Sequence, residues 1–262
     1  MEFRQNTIEQ ILNNESDAVL SAPQRYGRHY DNALRISMFL TSFLESFHQS
    51  RWVFGSFLGQ VKKHQLLSLL STVRLHKVQA MMNLRQVVEA GACAAYAIAN
   101  PDHNDFVDTD EYGILDPSQK LARKRYKWLD DNYPDGSRAI RDIKEQLNKT
   151  TSHANLINAY NKDTQSARDW PFFDAEDPYH VQIDLWRIGS AGLVLMLFFH
   201  ELNSTRHVIK FAANFATVID QLRTENNALR AEMMATPRFK AAIEKEGERQ
   251  RLMKTVSSGG SL

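Results

Sequence analysis

Apolar residues along this chain recur at spacings of three and four over most of its length, and no strand-like alternation persists. The pattern predicts a short amphipathic helix over 4–20, closed by Ser21-Ala22-Pro23. Leu34, Met38, Phe39, Phe43 and Phe47 follow the i, i+4 rule and predict a helix over 28–47. A stretch from 51 to 99 is long enough for one bent helix or two, with Gly55 and Gly59 weakening its start. Asn100-Pro101 stops it. Residues 102–116 then read as a loop carrying six acids and no Lys or Arg. Asp116-Pro117 predicts an N-cap with proline at the first helical position, opening a helix to 132. Tyr133-Pro134-Asp135-Gly136 predicts a turn, followed by a helix over 137–149. Ser152 would cap a short helix to Tyr160, and 161–178 reads as a polar loop. A strongly apolar helix is predicted over 180–202 and a long one over 205–234. Pro237 separates the latter from a charged tail helix ending near Lys254.

The fold class that follows is all-α: a helical bundle of about seven to nine helices, with a long C-terminal helix and a charged tail helix. We expect a bundle domain over 1–204, the C-terminal helix and tail helix over 205–254, and a disordered tail over 255–262. The C-terminal helix carries a heptad-like stripe of Phe211, Phe215, Val218, Leu222 and Leu229, interrupted at Glu225. Two uses of that stripe stay open: packing on its own domain, or a homodimer seam through 205–234.

Composition narrows the partners. The net charge is +1, so no global field draws the chain to nucleic acid or membrane, and such binding would need a local patch. Cys93 is the single cysteine, which excludes an internal disulfide and a multi-thiolate zinc site. Glu2 sits in an N-terminus with no apolar core, so no signal peptide is read there. The greasiest run, 188–199, is shorter than a bilayer span, so no membrane insertion is expected, and the expected location is cytoplasmic. No cofactor or metal is expected. The acidic loop lacks the spacing and glycine of a calcium loop, and no phosphate-cradling glycine loop, HExxH or GxSxG occurs.

Five features carry candidate chemistry. Arg85 and Glu89 fall on the stripe of Val78, Met81, Ala92 and Tyr96, with Arg74 on the same stripe earlier. This charged pair on an apolar face is either a buried structural ion pair or the lining of a polar cavity. Arg125 falls inside the apolar arc of Leu121, Ala122, Tyr126, Trp128 and Leu129, where it either snorkels to the edge or joins the site of Arg85. Lys120, Arg123, Lys124 and Lys127 form a basic face that is either solvated or holds phosphate or RNA. In Lys149-Thr150-Thr151-Ser152-His153, a histidine lies beside hydroxyls at a helix start. That position favours a neutral imidazole able to act as general base, while Ser152 alone is explained as a cap. Cys93, in Gly91-Ala92-Cys93-Ala94-Ala95, reads as a packed core thiol.

The run Leu84-Arg85-Gln86-Val87-Val88-Glu89, then Ala94-Ala95-Tyr96, followed by a helix–turn–helix with Thr151-Ser152-His153, resembles bacterial all-helical families related to the HEPN superfamily. The resemblance covers 30–205 and its motifs are short. It implies a helical bundle that usually dimerises. Many such proteins are metal-independent ribonucleases of toxin–antitoxin and phage-defence systems, and others only bind nucleotides or partners. The active ones use an arginine followed within a helical turn or two by a histidine. Here the nearest arginine upstream of His153 is Arg141, twelve residues away, and Arg25 with His29 lies outside the matching region. Two expectations follow. One is a helical ligand- or protein-binding regulatory module, dimeric and belonging to a bacterial defence or stress system. The alternative is a HEPN-like ribonuclease with His153 as general base, Arg85 and Arg125 on the phosphate, and Glu89 orienting an arginine.

Overall fold

The computed structural model describes residues 7–109, 111–116, 119–150, 172–174 and 176–244. Across them the chain is an all-α helical bundle. Helix α1 (Ile8–Tyr26) opens with a reciprocal cap: the Gln10 N–H donates to Thr7 Oγ1, and the Thr7 N–H donates to Gln10 Oε1. The helix runs through Pro23, where the sequence predicts a stop. A proline this close to the end removes a single backbone hydrogen bond, so the last turn survives it. Gly27 ends the helix at φ 52°, a conformation that favours glycine, and its N–H donates to the Pro23 carbonyl.

Helix α2 (Arg28–Ser42) stops short of 47, because Leu44–Phe47 is a strand, β1. Strand β1 pairs antiparallel with β4 (Ile209–Phe211), Phe47 opposite Ile209 and Leu44 opposite Phe211. The same ladder removes the start of the predicted 205–234 helix. The reason is aromatic packing: Phe43 lies 6.0 Å from Phe211 and 6.3 Å from Phe199, and Phe211 lies 4.5 Å from Phe215. Those rings meet only if both segments leave the helix and turn back on each other.

The 51–99 stretch is two helices, α3 (Trp52–Val73) and α4 (Lys77–Ala99), packed as a hairpin. Arg74 therefore caps α3 and does not share the stripe of Arg85. No glycine or proline marks the break. Leu75 adopts φ 61°, a left-handed conformation that costs a branched residue about 1–2 kcal/mol. Residues 172–174 hold it there. The Asp174 N–H donates to the Leu75 carbonyl at 2.8 Å, and the Lys77 N–H donates to Asp174 Oδ2 at 2.6 Å.

The acidic loop folds into a short hairpin of β2 (Asp108–Thr109) and β3 (Leu115–Asp116). Helix α5 (Gln119–Asn132) follows; the proline expected at its start lies outside the described residues. Helix α6 (Pro134–Thr150) uses Pro134 as its first residue, so the predicted four-residue turn shrinks to Tyr133. The short helix predicted from Ser152 lies outside the described residues.

Helix α7 (Pro178–Asn203), capped by Asp177, is the axis of the bundle. It packs against α1, α2, α3, α4 and α6, and against α8 (Phe215–Ala235). Leu185, Ile188, Ala191 and Phe199 on it are fully enclosed. Among the described residues α7 is the one helix long and apolar enough to cross a membrane, and 61% of its most apolar window is buried in the bundle. Helix α8 lays Phe215, Ile219, Leu222 and Leu229 inward, and its neighbours are α2 and α7. The stripe considered as a dimer seam is thus largely spent inside the chain, with Leu222 and Leu229 each 1% exposed. A buried amide chain fixes this contact: Asn32 Nδ2 donates to Asn226 Oδ1, and Asn226 Nδ2 donates to Ser190 Oγ. Residues 237–244 form the described part of the tail helix.

Candidate functional site

The α5–α6 hairpin leans on α4, and the charged residues of all three helices meet there. Arg85, Glu89 and Cys93 stand one above the next on α4 at i, i+4 spacing. Arg85 Nε donates to Glu89 Oε1 at 3.1 Å. Lys144 of α6 reaches the same oxygen at 3.0 Å. The pair is not sealed in the core: the Arg85 and Glu89 side chains are 29% and 31% exposed. Burial raises the Glu89 pKa, but the two cations outweigh it and hold the carboxyl below its ordinary value. The stripe pointed toward the interior, as its spacing predicts, yet what it meets is the polar edge of α6.

Arg125 does not join Arg85. It lies at the α4–α5 contact, where Nη1 donates to the Asp105 carbonyl at 2.7 Å and the guanidinium stands 5.1 Å from the Phe106 ring centre. Asp105 is not a solvated carboxylate of the acidic loop. It accepts from the Tyr96 hydroxyl at 2.8 Å and from Lys124 Nζ at 2.5 Å, and with them pins the loop to α4 and α5. Burial raises the Cys93 thiol pKa, and Arg125 offsets only part of that. No group of acids, histidines and cysteine fit to hold a metal ion occurs among the described residues.

The outer face of the hairpin is a groove. Arg123 and Lys127 of α5 line it with Arg141 and Lys144 of α6, and Tyr126 and Asp130 form part of its lining. Its cavity volume is about 360 Å³. Lys144 Nζ lies 5.1 Å and the Arg141 guanidinium 5.7 Å from the Tyr126 ring centre, so the ring's electron-rich face gathers two cations. Lys127 bonds Asp131 at 2.7 Å, and Arg141 bonds Asp130. Arg123 has no ion-pair partner among the described residues and is exposed. Of the predicted basic face, Arg123 and Lys127 therefore line the groove, Lys124 is engaged by Asp105, and Lys120 is exposed on α5 outside the groove's lining.

The sequence missed Lys144 and Arg141. Their i, i+3 spacing on an amphipathic helix was legible, but nothing in it says that α6 folds against α5 with these cations facing Arg123 and Lys127. His153 lies outside the described residues. No family model matches the chain, and neither a curated protein nor a solved structure matches it.

Proposed function

We propose that this protein is a binding module that takes a phosphate-bearing ligand in the α5–α6 groove, with Glu89 serving as the counter-charge of Lys144 and Arg85. The observation that carries this reading is the convergence of Arg123, Lys127, Arg141 and Lys144, from two helices, on one open groove lined by a single acid, Asp130. Lys127, Arg141 and Lys144 are partly neutralised by Asp131, Asp130 and Glu89, and Arg123 is the groove cation with no ion-pair partner among the described residues, so a phosphate would meet Arg123 first and share the other three with their carboxylates. Tyr126 is covered by the two α6 cations, which favours recognition of phosphate charge over stacking on a base. Arg85 and Arg125 have separate partners, 3.1 Å and 2.7 Å away, which counts for a binding role over a shared phosphate-cleaving site.

The test is fluorescence anisotropy with a labelled single-stranded RNA and competition by tripolyphosphate. Binding should weaken steeply with salt, by roughly one power of salt per phosphate contacted. The Arg123→Glu, Lys127→Glu double variant should lose most of the affinity while keeping its helical circular dichroism. Absence of binding by either probe, or an unchanged double variant, would sink the reading. RNA that is cut by the wild type and spared by His153→Ala would instead favour the ribonuclease alternative.

A further inference from the structure

Arg74 lies outside the α5–α6 groove. It caps α3, and its Nε is sealed from solvent without a hydrogen-bond partner. Its guanidinium forms no ion pair among the described residues. An arginine at a helix C-terminus is favoured by the dipole, but that leaves a buried donor unsatisfied, which is costly. Arg74 lines an open pocket of about 360 Å³. One wall is a stripe of α1, with Asn14, Asp17, Ser21 and Arg25 at i, i+3, i+7 and i+11. The other holds Arg74, Leu75 and Phe173.

The charges on these walls are not all available. Arg25 is bonded to Glu176 and stands 5.5 Å from the Tyr26 ring centre. Asp17, like Arg74, has no ion-pair partner among the described residues. Arg74 and Asp17 therefore line the same pocket as a guanidinium and a carboxylate that form no ion pair among the described residues, and they stand farther apart than the 4.0 Å of an ion pair. A dianion would meet Asp17, and a simple cation would meet Arg74. A small zwitterion meets both demands, and Leu75 with Phe173 gives its remainder an apolar wall.

We propose that this pocket binds a free α-amino acid with an apolar side chain. Its carboxylate sits on the Arg74 guanidinium, its ammonium faces Asp17, and its side chain lies against Phe173 and Leu75. None of these residues lines the α5–α6 groove, so the two sites succeed or fail separately.

The experiment is isothermal titration of the full chain with L-phenylalanine, L-leucine, 3-phenylpropionate and phenethylamine. Both amino acids should bind, and each single-charge analogue should bind L-phenylalanine's site at least about tenfold more weakly, the loss of one charged contact. Arg74→Gln should abolish binding while its circular dichroism melt stays cooperative. Asp17→Asn should bring 3-phenylpropionate close to L-phenylalanine, because the selection for the ammonium is gone. If Arg74→Gln does not fold, the Asp17→Asn selectivity decides. The proposal is overturned if neither amino acid binds up to about 10 mM, if folded Arg74→Gln binds unchanged, or if Asp17→Asn keeps the wild-type preference.

Discussion

Lys144 of α6 meets Glu89 of α4 at 3.0 Å, and this contact ties the α5–α6 hairpin to the bundle while leaving the lysine on the wall of an open groove. Glu89 is shared with Arg85, so one carboxylate balances two cations. Glu89→Gln removes that balance. It should lower stability to urea by about 1–2 kcal/mol, the scale of a lost charged hydrogen bond at a part-exposed site. It should also tighten tripolyphosphate binding, because Lys144 and Arg85 lose their counter-charge. Stability and affinity moving in opposite directions would distinguish this role from a purely structural one; a fall in both would contradict it.

Acid should act in two separate windows. Partial burial lowers the His29 imidazole from the ordinary 6.5, and partial burial with Lys77 nearby lowers His180, so the fold favours the neutral form of both. The unfolded chain takes up those protons first. Stability is then complete above 6.5 and declines as pH falls from there toward the folded values. His29→Gln should flatten this limb in a series of thermal melts.

Glu89 belongs to the lower window. Burial raises its carboxyl, but Lys144 and Arg85 prevail and keep it below the ordinary 4.5. Its stabilisation is present above 4.5 and is lost as pH falls through the lower folded value. Between 4.5 and that lower value the stability of Glu89→Gln should fall less steeply with acid than that of the wild type, and between about pH 5 and 7 the two curves should run parallel with the variant lower throughout.

Cys93 should be a slow thiol. Desolvation disfavours its thiolate, and Arg125 restores only part of it. Reaction with an aromatic disulfide reagent at neutral pH should be many-fold slower in the native protein than in urea. Arg125→Ala should slow it further if the native state stays closed.

Gly91 marks a close approach of α4 to α7. A Cβ there would meet Leu195 Cδ2 at 2.4 Å, and Leu195 is 1% exposed with little room to yield. Overpacking typically costs about 1–3 kcal/mol, against up to about 1 kcal/mol gained from helix propensity. Gly91→Ala should therefore lower the urea midpoint, and adding Leu195→Val should recover part of the loss.

Much of the fold was readable because amphipathic spacing is a local property. The helices around Leu34–Met38, Val78–Tyr96 and Ile188–Phe199 needed only their own periodicity. The failures share one cause. Phe43, Phe47 and Phe211 sit at helical spacing, yet the ring cluster they build forces β1 and β4. Leu75 breaks α3 from α4 without a breaker residue, because Asp174, far along the chain, holds its strained backbone.

The site divides in the same way. The sequence determined the all-α class, the charged Arg85–Glu89 pair at i, i+4, and the exposed basic face of α5, since each follows from spacing within one helix. Tertiary structure decided that Lys144 joins Glu89, that Arg125 turns to Asp105 instead of Arg85, and that Arg74 and Asp17 share a pocket. Those relationships depend on which helices lie side by side, and spacing within a helix says which face a residue shares but not what packs against it.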